Sequence, residues 1–398
     1  MGVCVVVVLL AAPAAAGSSH SALPRGGQSV QEARVVSGDA IWVWTQDETG
    51  PTSGGGAQGI ELSADSGKHW SDVTPPGLAV QGRGHWISDL FALNAEDAWV
   101  SYGGLGEASA QTILRTTDAG ARWTRMGLKP HANWCSLQFV SATVGWCPFI
   151  GAAAGSATVT LYTTRDGGRR WHVASRTPIG GSPRPGVLPY GGDKLIDFST
   201  AKIGWAVFEA PVGTAPLYET QNGGRTWAAR HVTPAPETRF GGSFGGQPLL
   251  AGQYGAVGYS AGLSAGARTV VYVSFDAGLS WHPVIPPGPP EPWFVDTITP
   301  RRWRLLYGNR ILATDNAGHT WRTIITNHRF TTLSYAYNAP ALAVTFASAK
   351  IGWVFQQDPT TSVNTLWRTI DGGRRWRQVN VPGTTALTRA GRLRFGEP

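Results

Sequence analysis

The stretch TRDGGRRW at residues 164–171 is one of seven copies of a pattern that decides the fold of this chain. Each copy reads Ser/Thr-x-Asp/Asn-x-Gly-x-x-Trp, and we call it the repeat turn. Successive tryptophans of the copies lie 53, 48, 56, 54, 40 and 55 residues apart. The third position of the pattern is occupied by Asp65, Asp118, Asp166, Asn222, Asp276, Asn316 and Asp371. Self-similarity at a nearly constant period predicts a repeat architecture.

The residue types of the repeat turn suit a tight connection between two antiparallel strands. The short Asp or Asn side chain accepts hydrogen bonds from nearby backbone N–H groups, and the Ser/Thr hydroxyl does so as well. Glycine adopts a positive φ at no steric cost. Apolar pairs such as Leu161-Tyr162 and Leu217-Tyr218 precede the turns. We therefore expect one strand to enter each turn and another to leave it at the tryptophan, with the tryptophan ring buried.

A second hairpin is predicted upstream of each repeat turn. The apolar segment Leu195–Phe198 turns into Ile203-Gly204-Trp205, and Leu342–Phe346 leads into Ile351-Gly352-Trp353 in the same way. Each repeat is then a sheet of four antiparallel strands, and radial repetition of such sheets is the β-propeller. We predict an all-β fold in which residues 30–398 form one seven-bladed β-propeller with a C-terminal tail and one repeat turn per blade. How the ring closes stays open, because both end blades already hold four strands.

The repeat turns resemble the Asp boxes of bacterial neuraminidase repeats. The Gly-Trp hairpins, taken together with motifs such as Thr164–Trp171, resemble propellers similar to photosystem II stability/assembly factors. The resemblance covers nearly the whole chain after residue 16, and it implies that the box is a structural turn away from the active face. It implies no single function, because Asp boxes also occur in sialidases, other glycosidases and sorting receptors. The Arg-Ile-Pro signature of sialidases is absent near the N-terminus.

The composition supports a strand-rich globular protein. Of the 398 residues, 42% are hydrophobic and 15% are charged, which excludes global disorder. The 52 glycines, 27 prolines and 18 tryptophans favour many turns and short strands over long helices. The net charge is +8, but the arginines are dispersed through the repeats instead of forming one basic face. We therefore expect no nucleic-acid partner.

The N-terminus has the pattern of a secretory signal peptide. An apolar run, Val3–Ala12, is followed by Pro13 and small residues, with cleavage expected after Ala16. We assign residues 1–16 to the signal peptide and residues 17–29 to a flexible segment. The apolar run is too short to cross a bilayer, so we predict a secreted or cell-envelope protein without a membrane span.

Two cysteines remain after the signal peptide. Cys135 and Cys147 flank a predicted hairpin and are expected to form one disulfide in an exported protein. Two cysteines without a nearby histidine pair lack the ligands of a metal site, and the nine histidines are scattered. No nucleotide-binding or dinucleotide-binding motif occurs in a strand-to-helix context. We therefore expect neither a metal nor a cofactor.

The long connections indicate where a ligand would bind. The turn of each first hairpin and the repeat turn should lie at one end of a blade, and the other connections at the opposite end, where functional residues concentrate. The candidate binding residues there are Arg83, Arg184, Tyr190, Arg239, Arg268, Tyr335 and Tyr337. The candidate catalytic residues are Glu209, Glu237 and Asp193.

These observations predict an exported, non-catalytic binding or assembly propeller that recognises a protein or glycan of the cell envelope through its long loops. The alternative is a sialidase-like glycoside hydrolase with two carboxylates roughly 5 to 9 Å apart on the same loops. A third hypothesis is a basic scaffold for acidic partners. The densest basic cluster, Arg301-Arg302-Trp303-Arg304, is predicted to form a solvated turn of a first hairpin.

Overall fold

The structure, a computed structural model, is an all-β seven-bladed propeller whose blades are four-stranded and antiparallel. The described residues are 28–47, 58–76, 78, 86–103, 111–130, 136–150, 158–177, 184–189, 194–210, 213–261, 268–289, 291, 293–330, 342–357 and 364–382. The chain divides into two compact units, Met1–Asn133 with Phe330–Pro398 and Trp134–Arg329. Each unit is described by itself.

The first unit begins with blades 1 and 2. The strands of blade 1 are β1 (Gln28–Val35), β2 (Ile41–Asp47), β3 (Gln58–Ser63) and β4 (Ser71–Asp72). Those of blade 2 are β5 (Trp86–Ala92), β6 (Ala98–Gly103), β7 (Gln111–Thr116) and β8 (Thr124–Lys129). In both blades the strands pair in chain order. Because β1 starts at Gln28, the first blade includes two residues that the sequence places in the flexible segment.

The second unit contains blades 3 to 6. Blade 3 consists of β9 (Gln138–Phe139), β10 (Gly145–Ile150), β11 (Val159–Thr164) and β12 (His172–Arg176). Blade 4 consists of β13 (Lys194–Phe198), β14 (Gly204–Ala210), β15 (Leu217–Thr220) and β16 (Ala228–Ala229). Next come β17 (His231–Val232), the short 3-10 helix Pro236–Phe240, and blade 5 with β18 (Gly242–Phe244), β19 (Leu249–Ala251), β20 (Tyr254–Ala261), β21 (Arg268–Ser274) and β22 (Ser280–Val284). Blade 6 consists of β23 (Phe294–Thr299), β24 (Arg302–Tyr307), β25 (Arg310–Thr314) and β26 (Arg322–Ile325).

Blade 7 completes the first unit, and it packs against blade 1. Its strands are β27 (Leu342–Phe346), β28 (Gly352–Gln357), β29 (Asn364–Thr369) and β30 (Arg377–Val379). Val30 and Ile41 of blade 1 share one buried apolar cluster with Trp353 and Leu366 of blade 7. Both blades keep four strands of their own. The first and last blades are therefore joined by side-chain packing and not by a shared sheet.

Buried tryptophans lie on the second strands of six blades, and several of them contact a neighbouring blade. Those with under 2% exposure are Trp42, Trp99, Trp146, Trp205, Trp303 and Trp353. Trp42 donates its indole N–H to the Asn94 carbonyl of blade 2 at 3.0 Å, and Trp146 stacks on Phe198 of blade 4 at 3.8 Å. The tryptophans of the repeat turns differ in burial, although the sequence predicts that all of them are buried: Trp281 is fully buried, whereas Trp123 is partly exposed.

The repeat turn has the same hydrogen bonds in all seven blades. In blade 2, Gly120 N–H donates to Thr116 Oγ1 at 2.8 Å, the Thr116 hydroxyl donates to Asp118 Oδ1 at 2.9 Å, and Arg122 N–H donates to Asp118 Oδ1 at 2.9 Å. The fourth residue has a positive φ even where it is not glycine, as in Ala119 with φ 57°. The backbone bond from Arg122 is the main cause that lowers the pKa of Asp118. The polar atoms of the turn are thus used within the turn.

One further backbone hydrogen bond joins the two turns at one end of each blade. The N–H of the fourth residue of the repeat turn donates to a carbonyl in the turn of the first hairpin. The donor and acceptor pairs are Ser66 with Asp39, Ala119 with Glu96, Gly167 with Thr143, Gly223 with Lys202, Ala277 with Gln253, Ala317 with Arg301, and Gly372 with Lys350. We call this end of a blade its turn side and the opposite end its loop side. The long connections belong to the loop side.

Blades 4 and 5 depart from the regular pattern. The first strand of blade 5 is split into β18 and β19, and Gly242-Ser243 of β18 also pairs with Glu209-Ala210 of β14 in blade 4. The segment β17 runs parallel to β22 and covers part of the outer strand of blade 5. These two contacts join blades 4 and 5 into one ten-stranded sheet.

The structure describes one of the two cysteines of the predicted disulfide. Cys147 is buried in β10 of blade 3, whereas Cys135 lies outside the described residues. The signal peptide of residues 1–16 lies outside them as well. Searching the described ranges for a helix long and apolar enough to cross a membrane finds none.

Candidate functional site

The structure describes five of the ten candidate site residues. Arg184 and Arg239 are exposed, Arg268 is the first residue of β21, and Glu237 lies in the 3-10 helix. Glu209 lies on β14, where its backbone pairs with Ser243. The other five lie outside the described residues: Arg83, Tyr190, Asp193, Tyr335 and Tyr337.

Two of the predicted residues meet on the loop side of blade 5. Arg268 Nη1 lies 3.2 Å from Glu237 Oε1, although 31 residues separate them in the chain. Arg268 Nη2 also donates to the Gly288 carbonyl at 3.1 Å. Two anchors of this kind hold the planar guanidinium in one orientation, because its N–H groups form a rigid fork.

A second ion pair follows in the connection to blade 6, and neither of its members is among the ten candidates. Arg310, the first residue of β25, pairs with Glu291. The guanidinium of Arg310 also stacks over the Trp293 ring at 5.5 Å, an attractive cation–π geometry. The only sequence signal for this pair is the segment Glu291-Pro292-Trp293, which interrupts a proline-rich connection.

The backbone of Thr269 links the two ion pairs. Thr269 N–H donates to the Glu291 carbonyl at 3.2 Å, and its hydroxyl donates to the Trp293 carbonyl at 2.9 Å. Arg268 is the neighbouring residue, so both arginines are held by one hydrogen-bonded segment. We call Glu237, Arg268, Glu291, Trp293 and Arg310 the loop-side arginine cluster.

The cluster combines neutralised carboxylates with accessible guanidinium groups. The side chains of Glu237 and Glu291 are each 15% exposed, whereas those of Arg268 and Arg310 are 29% and 37% exposed. In each carboxylate one oxygen pairs with an arginine, while Oε2 of Glu237 and Oε2 of Glu291 are buried without a hydrogen-bond partner among the described residues. The free N–H groups of the arginines can donate to carboxylate, carbonyl or hydroxyl oxygens. The arrangement is therefore suited to holding a polar or anionic ligand.

A separate group of charges is buried between blades 1 and 2. Arg34 Nε lies 2.6 Å from Glu32 Oε1 and donates to the Leu90 carbonyl at 3.0 Å. Lys129 Nζ lies 3.5 Å from Asp89 Oδ2. Burial raises the pKa of Glu32 to about 7, with Asp89 adding to the rise and Arg34 opposing it. Burial lowers the pKa of Lys129, against the attraction of Asp89.

This buried charge cluster is not open to a ligand. Glu32, Arg34, Asp89 and Lys129 are each at most 5% exposed. Charges in such surroundings are retained only where partners offset the loss of water. The cluster therefore belongs to the contact between blades 1 and 2, and its consequence is for stability.

Metal binding has no support in the described ranges, where no three His, Cys, Asp or Glu side chains are grouped to hold an ion.

Comparison with known proteins shows likeness in fold. No protein-family model matches the chain. A xyloglucanase of a Paenibacillus species is 24% identical over 243 residues, which are 56% of this chain and 23% of the xyloglucanase, so the chain spans about a quarter of that relative.

Solved structures similar to the chain include both binding proteins and enzymes. YCF48 bound to D1 peptide is 18% identical with a TM-score of 0.42, over 76% of this chain and 84% of that one. The α-L-arabinofuranosidase Arb93A of Fusarium graminearum is 13% identical with a TM-score of 0.41, over 71% and 91% of the two chains. The GH74 xyloglucanase of Xanthomonas campestris is 12% identical with a TM-score of 0.31, over 86% and 62%. Similarity at these levels concerns the fold alone.

Proposed function

We propose that this chain is an exported, non-catalytic binding or assembly propeller whose repeat turns are Asp boxes, and that it recognises a protein or glycan of the cell envelope on its loop side. The observation that carries the proposal is the loop-side arginine cluster. Each of its carboxylates has one oxygen in an ion pair, and its guanidinium groups are oriented and still accessible.

Oriented arginines suit recognition because their ordering has already taken place in the free protein. Preorganisation lowers the entropic cost of binding, and arginine is enriched among the residues that dominate binding energy. Arg310 is held by Glu291 and by the Trp293 ring, and Arg268 by Glu237 and a backbone carbonyl. Both can therefore receive a carboxylate or a sugar hydroxyl without first losing side-chain freedom.

Export is supported by the sequence. Residues 1–16 have the apolar run and small-residue cleavage site of a signal peptide. A disulfide between Cys135 and Cys147 would persist in the oxidising surroundings of an exported protein. The cell envelope would then be the compartment in which the loop side meets its ligand.

The second candidate function is glycoside hydrolysis, and the similarity to a xyloglucanase favours it. Such an enzyme needs two carboxylates about 5 to 9.5 Å apart, one of them able to give up a proton. Glu237 is paired with Arg268 on the loop side of blade 5. Glu209 and Asp193 are the other candidates.

The two functions are separated by testing turnover and binding on the same preparation. Protein from Gly17 onward would be assayed with fluorogenic glycosides, including a sialoside, and with xyloglucan oligosaccharides. We expect no turnover. Turnover that disappears in Glu209→Gln or Asp193→Asn would overturn the proposal and identify a hydrolase.

Binding would be measured by isothermal titration against soluble envelope glycans and peptides. For any ligand that binds, we expect Arg268→Ala with Arg310→Ala to weaken binding by about tenfold or more, the loss typical of a dominant contact. Arg169→Ala with Arg170→Ala, two exposed arginines on the turn side of blade 3, is the matched control. Equal losses in both double variants would show that general charge, and not the loop-side cluster, mediates binding.

A further inference from the structure

Two large apolar side chains are exposed on the turn side of blade 5. Phe275 is 49% exposed and Leu279 is 54% exposed. They occupy the second and sixth positions of one repeat turn, on either side of Asp276. The side chains at both positions lie outside the hydrogen-bonded frame of the turn, which uses the first, third, fourth, fifth and seventh residues. The fold therefore does not require an apolar residue at either position.

The other repeat turns confirm that these positions are free to vary. The second-position residues in chain order are Ala64, Thr117, Arg165, Gln221, Phe275, Asp315 and Ile370. The sixth-position residues are Lys68, Ala121, Arg169, Arg225, Leu279, His319 and Arg374. Blade 5 alone has a large apolar residue at both. Two large exposed apolar side chains on one turn make it a candidate for an interaction surface.

An aromatic ring and an arginine extend the apolar surface toward blade 6. Tyr254, the first residue of β20, contacts Phe275 edge to face with ring centroids 6.2 Å apart. The guanidinium of Arg301 stacks over the Tyr254 ring at 5.6 Å. Arg301 is exposed and belongs to the first-hairpin turn of blade 6, where the sequence predicted a solvated basic turn.

Positive charge is in excess beside this surface. The carboxylate of Asp315 is shared by three guanidinium groups, those of Arg302, Arg304 and Arg322. Arg302 and Arg322 are about half exposed, whereas Arg304 is buried. Together with Arg301, four positive charges therefore face two negative ones, those of Asp315 and of Asp276, which lies exposed between Phe275 and Leu279.

We propose that these residues form a second docking surface, which binds an acidic peptide segment of another protein. We call Tyr254, Phe275, Leu279, Arg301, Arg302 and Arg322 the turn-side patch. The excess positive charge requires acidic residues in the partner. The exposed apolar side chains require an aromatic or aliphatic residue among them, which an acidic peptide provides and an acidic polysaccharide does not.

The test uses labelled peptides and the mature chain from Gly17 onward. One ten-residue peptide alternates glutamate with phenylalanine, and a second replaces each phenylalanine by serine. Fluorescence anisotropy at low salt measures both. We expect the first peptide to bind at least about tenfold more tightly than the second, and its affinity to fall as salt screens the charges. Equal affinities, or no measurable binding of the first peptide, would overturn the proposal.

Variants locate the binding. Phe275→Ser and Arg301→Glu should each weaken the glutamate/phenylalanine peptide by about tenfold. Ile370→Ser is the matched control for the apolar change, because Ile370 has the same position in the turn of blade 7 and is 64% exposed. Arg169→Glu is the control for the charge change, on the turn side of blade 3.

Controls that weaken binding as much as the tested variants would refute the turn-side patch as the site. Heparin that displaces the peptide and binds equally well to Phe275→Ser would show that the arginines bind an acidic polysaccharide, and it would overturn the proposal. Arg268→Ala on the loop side should leave peptide binding unchanged, so this proposal and the proposed function can fail separately.

Discussion

The buried charge cluster between blades 1 and 2 makes the stability of the protein depend on pH. Glu32 determines whether the free energy of unfolding rises or falls with pH. The pKa of Glu32 rises from its ordinary value of 4.5 to about 7 because the side chain is buried. In the unfolded chain the carboxyl regains the ordinary value. Between these two values the folded state binds the proton and the unfolded state does not, so the free energy of unfolding falls as pH rises through this window.

The size of the effect follows from the same two values. The difference between 4.5 and about 7 corresponds to about 3 kcal/mol, because one pKa unit is worth 1.36 kcal/mol. The contribution is complete below pH 4.5, falls through the window and is absent above about pH 7. Arg34 on the same strand and Asp89 and Lys129 of blade 2 are the charges that face this carboxyl.

Glu32→Gln removes the titration while keeping the size of the side chain. Urea unfolding, followed by tryptophan fluorescence at pH 5, 6, 7 and 8, would give the free energy of unfolding of both proteins. We expect the free energy of unfolding of the wild type, relative to that of Glu32→Gln, to fall by about 2.5 kcal/mol between pH 5 and 8. Glu96→Gln, which changes an exposed carboxyl in blade 2, should leave the pH dependence as it is. A wild type and Glu32→Gln with parallel pH profiles would refute the reasoning.

Three smaller changes test the parts of the fold. Thr116→Val removes the hydroxyl that bonds both Asp118 and Gly120 in the repeat turn of blade 2, and it should lower the free energy of unfolding by about 1–3 kcal/mol. Thr117→Val, at the exposed neighbouring residue, should lower it little. Equal losses in urea unfolding of the two variants would contradict this prediction. Gly120→Ala places a methyl group on a residue with φ +85°, in steric conflict with the buried side chain of Val73, and it should lower the midpoint of thermal unfolding. Gly246→Ala places its methyl group in open space and should leave the midpoint unchanged. Similar midpoints of the two variants would contradict the predicted strain. Reducing the predicted disulfide of Cys147 should lower the free energy of unfolding by about 3 kcal/mol, and a denaturation curve unchanged by a phosphine reductant would refute that pairing.

The fold was predictable because its decisive features are local in sequence. A threonine, an aspartate and a glycine within five residues specify the repeat turn at Thr116–Gly120, and the structure has the hydrogen bonds expected of them. Seven copies of such a turn leave few alternatives to a propeller. The split first strand of blade 5 was not predicted, because the pairing of Gly242-Ser243 with β14 depends on a strand of another blade.

The site was less predictable because its contacts are distant in sequence. Arg268 and Glu237 were both candidates, but nothing in the sequence indicated that they form a pair across 31 residues. The buried charge cluster was missed for a different reason. Strand alternation would place Glu32 on a solvent face, yet Val30 to Arg34 are all buried. The first strand of the blade lies between two neighbouring blades, so both of its faces are covered.

The repeat also explains where new interactions can arise on this chain. Hydrogen bonding and φ involve the first, third, fourth, fifth and seventh positions of each repeat turn, and the tryptophan occupies the eighth. The second and sixth positions carry no such requirement, and they hold residues as different as Phe275 and Arg165. Changes there alter the surface of one blade at little cost to the fold. A seven-fold repeat that holds its backbone fixed can therefore carry a different surface on each blade, and the docking surface proposed on blades 5 and 6 is such a case.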